Sequence, residues 1–209
     1  MLHMDFKGFL AKYGKNNRSG IIHVGAHLGE EIDFYKELGF GRILLFEPLH
    51  APFDKIPVSD GVYKVNAALG NTNETVAMNV ANNGESSSLL KPKHHLVAHP
   101  EVKFDGTEQV TVRRLDDWFS GNEFGLKMED FCCMVMDAQG YEGRVVMGAA
   151  ETMRHMDVVY SEVSVKDLYE ENTNMNYLDH QLARYGLARK ETWISFSGSG
   201  EAIYIKGVA

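Results

Sequence analysis

The stretch Ile21-Ile22-His23-Val24-Gly25-Ala26-His27-Leu28-Gly29-Glu30 decides the fold. An apolar run stops on Gly25, Gly29 follows four positions later, and a helical pattern begins at once. This predicts a strand, a tight turn and a helix N-terminus arranged around a ligand. Gly25 frees the backbone to turn with positive φ or to approach a ligand closely. Gly29 lets the new helix pack on the strand. Working outward, Arg42–Phe46 reads as a second buried strand, with Glu47 and Pro48 at its end, Glu47 lying eighteen residues after Gly29. A glycine turn followed by an acid at the end of the next strand suits a nucleoside cofactor, whose ribose hydroxyls donate to the acid.

A chain of 209 residues, 44% apolar and 24% charged, fits one soluble α/β domain spanning residues 1–209. The net charge of −8 argues against a nucleic-acid binder, which needs a basic face. No apolar run approaches the roughly 18 residues of a membrane span. Residues 1–13 are not a signal peptide, because Phe6, Phe9, Leu10 and Tyr13 share one helical face with Lys7 and Lys12 off it. An N-terminal helix packed on the domain is expected within residues 1–19. The only cysteines, Cys132 and Cys133, sit in an apolar strand with side chains expected on opposite faces. They read as small buried hydrophobes in a reducing compartment, which places the protein in the cytoplasm.

Strands and helices then alternate. Strands are expected at residues 20–24, 42–46, 62–69, 75–80, 109–113, 131–136 and 157–161, with Glu162 closing the last of these. Helices are expected at residues 30–38, 140–153 and 174–185, and residues 115–119 read as a turn into a helical segment. Residues 81–106 are polar, rich in Ser and His, and too long for an ordinary connection, which marks a substrate loop. Two final strands, 188–196 and 202–206, flank Ser197-Gly198-Ser199-Gly200, a tight-turn signal. Strands separated by helices imply a mostly parallel sheet with right-handed crossovers. The closing hairpin adds an antiparallel strand, which separates a class I methyltransferase from a dinucleotide-binding domain.

Six elements in order carry a family resemblance. They are the turn at residues 23–29, Phe46-Glu47-Pro48, Asn66-Ala67-Ala68-Leu69-Gly70, Leu115-Asp116-Asp117-Trp118, Met136-Asp137-Ala138-Gln139-Gly140-Tyr141-Glu142, and Gly148-Ala149. Together they resemble the FkbM-type S-adenosylmethionine-dependent methyltransferases. The family turn usually begins with an acid and carries Asn where this chain has His23 and His27. The resemblance implies a Rossmann-like class I methyltransferase sandwich, a mostly parallel seven-stranded sheet with an antiparallel C-terminal hairpin strand. It also implies S-adenosylmethionine as cofactor and methylation of a hydroxyl, commonly on a sugar of a glycan or glycoconjugate. The chain is compatible with being one module of a larger glycan-modifying polypeptide, and its oligomeric state is not legible.

The methyl of S-adenosylmethionine is already electrophilic, so the protein's task is to bind, orient and exclude water. Gly25, Ala26 and Gly29 would pass under the cofactor, with His23 and His27 beside them, Glu47 and Pro48 at the ribose, and Asn66 and Ala67 at the adenine edge. Asp137, at the end of an apolar strand, and Gln139 are candidates for the methionine end or the acceptor hydroxyl. Glu162, ending the next strand, stands beside Asp137, and two adjacent acids raise the pKa of one into the range of a useful base. Glu142 reads as an acid in a helix's first turn or as a substrate ligand. In the long loop, His94 and His95 are candidate general bases, and Ser87, Ser88 and Lys93 candidate substrate contacts. His95 and His99 are four apart, but Pro100 and the lack of a third ligand argue against a structural zinc site. Trp193, Phe196 and Tyr204 read as core packing on alternate strand positions rather than as a sugar-binding wall. The competing readings are an NAD-dependent oxidoreductase and a non-catalytic binding module. The closing hairpin and the retained acids count against them.

Overall fold

Near-continuous apolar runs become the centre of the sheet, because a parallel strand is covered on both faces. In the computed structural model, which describes residues 5–13, 19–122 and 124–207, β1 (Gly20–Val24) is buried along its whole length. It pairs in parallel with β2 (Arg42–Phe46) on one side and β7 (Cys133–Met136) on the other. The 7-stranded sheet runs β3-β2-β1-β7-β8-β10-β9, where β3 is Val62–Val65, β8 Val158–Ser164, β9 Leu187–Ile194 and β10 Ser199–Lys206. Only β10 runs against its neighbours, inserted between β8 and β9. This is the Rossmann-like α/β architecture with the antiparallel hairpin strand expected from the sequence.

Alternation along the strands divides the core in two. Ile22, Val24, Leu44 and Phe46 face one side, under α5 (Leu115–Phe119), α6 (Glu142–Gly148) and α7 (Met175–Ala183). Ile21, Ile43 and Leu45 face the other, under α1 (Phe6–Tyr13) and α2 (Ile32–Glu37). Phe6, Phe9 and Leu10 of α1 are buried there, as their helical spacing requires. The rest of the expected N-terminal helix, residues 1–4 and 14–18, lies outside the described residues. Among the described residues, no helix is long and apolar enough to cross a membrane.

Several boundaries move. The helix after the glycine turn starts at Ile32, because Gly29 holds a φ of +75°. The expected strand at residues 62–69 splits. Its second part, β4 (Ala68–Leu69), joins β5 (Glu74–Ala81) and β6 (Phe104–Arg113) in a separate 3-stranded sheet. A short α3 (His50–Lys55) was hidden by Pro52 and its lack of buried residues. The expected loop at residues 81–106 is shorter than read: β5 reaches Ala81, β6 begins at Phe104, and α4 (His95–Ala98) interrupts it. The strand expected to end before Glu162 continues to Ser164, because β10 pairs along it to Ser199. Both cysteines are buried and outside any disulfide, but they share one cluster, since β7 begins only at Cys133.

Candidate active site

The C-terminal ends of β1, β2, β7 and β8 open into one cleft of about 1070 Å³. Open α/β sheets place ligands at this edge. Gly25 has a φ of +79°, and a Cβ there would stand 1.9 Å from the Asp137 carbonyl oxygen. The glycine is therefore required by the β7 turn pressed against it as well as by its own backbone angle. The Gly25 and Ala26 amides both donate to the Phe46 carbonyl, which fixes the turn against β2.

Glu47 is buried in the cleft wall, its two carboxylate oxygens accepting the amides of His27 and Leu49 at 2.9 Å each. Burial pushes its pKa up to about 7, against the pull of those two amides. His27 also has positive φ, and its Nδ1 lies 2.9 Å from Glu30 Oε1. His23 lines the cleft with Nδ1 at 3.1 Å from the Tyr35 hydroxyl. Burial lowers its pKa to about 4, so it is neutral at physiological pH. Ala67 lines the cleft, whereas Asn66 faces away from it. The Asn66 amide donates to the carbonyls of Glu47 and Pro48 at 2.9 Å each and braces their turn.

At the other end Asp137 is exposed to the cleft and Glu162 is partly buried beside it. The Gln139 amide bridges them, donating to Asp137 Oδ1 at 2.7 Å and Glu162 Oε2 at 2.9 Å. Gln139 adopts a φ of +49° to do so. Burial, then the charge of Asp137, then that of Glu142, push the Glu162 carboxyl well above the usual carboxylate range. Glu142 does not line the cleft. It is buried behind the turn, where Oε1 accepts the Ala138 amide at 3.0 Å and the Gly140 amide at 3.1 Å. Its pKa is also raised to about 7, mainly by burial.

The loop after β5 closes over this pair. The Ser88 hydroxyl, fully buried, donates to the Gln139 carbonyl at 2.8 Å. The Tyr169 hydroxyl reaches Gln139 Oε1 at 2.9 Å and the Ser86 carbonyl at 3.0 Å. Ser87 lines the cleft and accepts the Ala81 amide at 3.0 Å. The two loop histidines part company. His95 is buried, lines the cleft and packs its ring on Tyr169 at 5.1 Å, with no partner for Nδ1. Burial lowers its pKa, with His99 adding to the effect. His94 is exposed outside the cleft, and Lys93 makes a surface ion pair with Asp167 at 3.0 Å.

Three side chains complete the site that no motif announced. Tyr169 follows β8 in a loop, and Glu201 and Trp193 stand on the terminal hairpin. In register, Glu162 pairs with Glu201 and Glu201 with Trp193. Trp193 is 46% exposed and lines the cleft, so it is not the core residue that strand alternation implied. Phe196 is fully exposed, and Tyr204 alone of the three is core, its hydroxyl donating to Asp179 at 2.9 Å. For Trp193, the signal was the charged run Arg189-Lys190-Glu191 just before it in β9, typical of an edge strand.

The FkbM methyltransferase domain model matches residues 23–188 of this chain. A 2-O-methyltransferase, NoeI, of Sinorhizobium fredii is 44% identical over 85 residues, covering 41% of this chain and 33% of that protein. The match thus spans a third of the relative's length. A protein of the NADB-Rossmann superfamily from Streptococcus agalactiae superposes with a TM-score of 0.53 at 9% identity, covering 100% of this chain and 71% of that one. Magnesium protoporphyrin IX methyltransferase from Synechocystis PCC 6803, solved with bound SAM, superposes with a TM-score of 0.51 at 8% identity, covering 96% and 76%. At such identities the two superpositions speak to the fold.

Proposed function

Because this chain belongs to the FkbM methyltransferase family, we propose that it transfers a methyl group from S-adenosylmethionine to a hydroxyl on a sugar of a glycan or glycoconjugate. The observation that carries this reading is that one cleft joins the buried Glu47 carboxylate to the Asp137–Gln139–Glu162 cluster. S-adenosylmethionine, when bound, supplies an electrophilic methyl on a sulfonium. The residues present fit it. Each Glu47 oxygen accepts one amide and keeps a lone pair, so the carboxylate can take a ribose diol. The Gly25–Ala26 turn forms the floor, and Ala67 the wall at the adenine edge. Neutral His23 and the acids Glu30, Asp137 and Glu162 surround the end that would hold the sulfonium and the methionine.

Asp137 and Glu162, tied by one amide, act as a proton-accepting pair. The pair would take the acceptor's hydroxyl proton at a carboxylate oxygen and so leave that oxygen able to receive the methyl that S-adenosylmethionine would supply. His95, with an unpartnered buried nitrogen in the same cleft, orients the acceptor. Ser88, Glu142 and Asn66 act on the backbone of the site, not on ligands. Two buried thiols outside any disulfide suit a reducing compartment, which supports a cytoplasmic reading.

Isothermal titration with S-adenosylmethionine and with NAD tests the cofactor. Micromolar binding of the first is expected, and binding of NAD alone would overturn the reading. Mass spectrometry of a sugar panel incubated with S-adenosylmethionine tests the acceptor. Asp137→Asn is expected to lower turnover by about a hundredfold or more. Near-normal turnover would remove Asp137 from the chemistry.

A further inference from the structure

A glutamine amide turns with little preference of its own, so its neighbours decide which end faces where. Gln139 uses its amide nitrogen twice, donating to Asp137 Oδ1 at 2.7 Å and to Glu162 Oε2 at 2.9 Å. Turned over, the amide would withdraw both donors and set its carbonyl oxygen against the two acids. What holds it the right way round lies behind it, where the Tyr169 hydroxyl donates to Gln139 Oε1 at 2.9 Å. Burial, then the acids Glu162, Asp137 and Glu142, push the Tyr169 pKa well up from the ordinary tyrosine value, so the hydroxyl keeps its proton. The same proton faces the Ser86 carbonyl at 3.0 Å, so the loop after β5 shares the bond. Backbone pairing sets where that hydroxyl arrives. Tyr169 bridges Pro92, the Glu170 amide donates to the Lys91 carbonyl at 2.8 Å, and the Lys93 amide donates to the Leu168 carbonyl at 2.8 Å. Tyr169 itself is buried beside Leu90 and Leu168, outside the cleft lining.

We propose that Tyr169 is a positioning residue for methyl transfer, its hydroxyl fixing the Gln139 amide so that one nitrogen holds Asp137 and Glu162 together as the proton-accepting pair. The inference rests on the methyl-transfer reading above and deepens it. The two acids come from the ends of different strands, and only a bridge keeps their oxygens in a set relation. Below its raised pKa Glu162 holds its proton, and above it both carboxyl groups are charged and repel. An oxygen on each is open to an amide hydrogen in both states, so the bridge serves the pair before and after it ionises. Gln139 cannot hold this pose by itself. Its φ of +49° is one that side-chain-bearing residues seldom adopt, and the Ser88 hydroxyl pins that backbone through the Gln139 carbonyl at 2.8 Å. Ser88 fixes the main chain of the clamp, and Tyr169 fixes its working end. Because Tyr169 stands outside the cleft lining, its loss falls on kcat and leaves cofactor and acceptor binding in place.

The test is Tyr169→Phe in the whole chain, which keeps the ring and removes the hydroxyl. Turnover is read on methyl glycosides of glucose, galactose and fucose. The kcat is expected to fall about fivefold to tenfold, with the S-adenosylmethionine Kd and the acceptor KM within about twofold of wild type. The loss should vanish when Tyr169→Phe is added to Gln139→Asn, a shorter amide on a residue type that tolerates positive φ. Tyr204→Phe removes another buried hydroxyl, one that pairs with Asp179 outside the cleft lining, and should keep kcat within about twofold. A second readout needs no turnover. The chain has three glutamines, Gln109, Gln139 and Gln181, so nitrogen-15 labelling of glutamine side chains gives one amide signal pair for each, that of Gln139 being absent in Gln139→Asn. In Tyr169→Phe the Gln139 pair should move and exchange its hydrogens with water about tenfold faster, while the other two stay in place. An unmoved Gln139 pair, an undiminished kcat, a loss carried by KM, a loss that persists in the Gln139→Asn background, or an equal loss in Tyr204→Phe would each overturn the inference. Wild-type protein that binds no S-adenosylmethionine would strike the methyl-transfer reading instead, a result the glutamine signals do not mimic.

Discussion

Glu47 and Glu142 are both buried, both accept two backbone amides, and both have a pKa raised to about 7. They differ in what stands in front of them. Glu47 faces the cleft, so Glu47→Ala should weaken S-adenosylmethionine binding about tenfold to a hundredfold, read by titration calorimetry, with the fold retained. Glu142 faces only its own turn, and its effect is on stability. Its folded pKa lies above the unfolded value of 4.5, so the native state binds the proton more tightly. The native state is favoured at low pH and loses stability as pH rises from 4.5 through about 7. Glu142→Gln keeps an acceptor oxygen without the charge. It should stabilise the protein by about 2 kcal/mol at pH 8 and by little near pH 5, measured by urea unfolding. Equal effects at both pH values would refute the assignment. The sequence placed Glu47 at the ribose but left Glu142 between a helix acid and a substrate ligand, because that difference is which way a carboxylate turns. Asn66 and Ser88 were opaque for the same reason. Their residue types suit ligands, and the folded chain turns them onto carbonyls.

At the scale of elements, β1, β2 and β7 were readable because a strand buried on both faces is an uninterrupted apolar run. The start of β6 was not, since its first residues are half-exposed and polar and its pairing partner lies some twenty-five residues upstream. The extension of β8 past Glu162 depends on β10, which no local pattern reports. The glycine turn was readable, though its cause was only half seen: the backbone angle is local, while the Asp137 carbonyl against it comes from a remote strand. This separates two substitutions. Gly25→Ala combines positive φ with a Cβ at 1.9 Å from backbone and should destabilise by at least about 3 kcal/mol. Gly39→Ala, with a φ of +89° and nothing within 4 Å, meets backbone strain alone and should lose about 1 kcal/mol. Chemical denaturation of the pair checks the ranking, and equal losses would show that the β7 turn does not press on Gly25.

The whole molecule gathers its acids at one sheet edge, and the pH dependence of turnover follows from that gathering. The alternation of elements announced a mostly parallel sheet, and the terminal hairpin distinguished the methyltransferase form from a dinucleotide-binding one. The sequence already set Glu162 beside Asp137, but it took the folded chain to add Glu142 from α6 and Glu201 from β10. Enclosure and those charges hold its proton well past the ordinary carboxylate range. A base must be ionised to accept the hydroxyl proton, so kcat should be low where Glu162 holds its proton and rise with pH through its raised pKa to a plateau. His95 would behave otherwise: its pKa is lowered from 6.5, so a limb governed by it would lie on the acid side of that value. The position of the limb therefore decides between them. A limb well above the ordinary carboxylate range that disappears in Glu162→Gln and persists in His95→Ala assigns the proton to the carboxylate pair. A limb on the acid side of 6.5 that vanishes in His95→Ala assigns it to the histidine, and Asp137 and Glu162 then serve to bind.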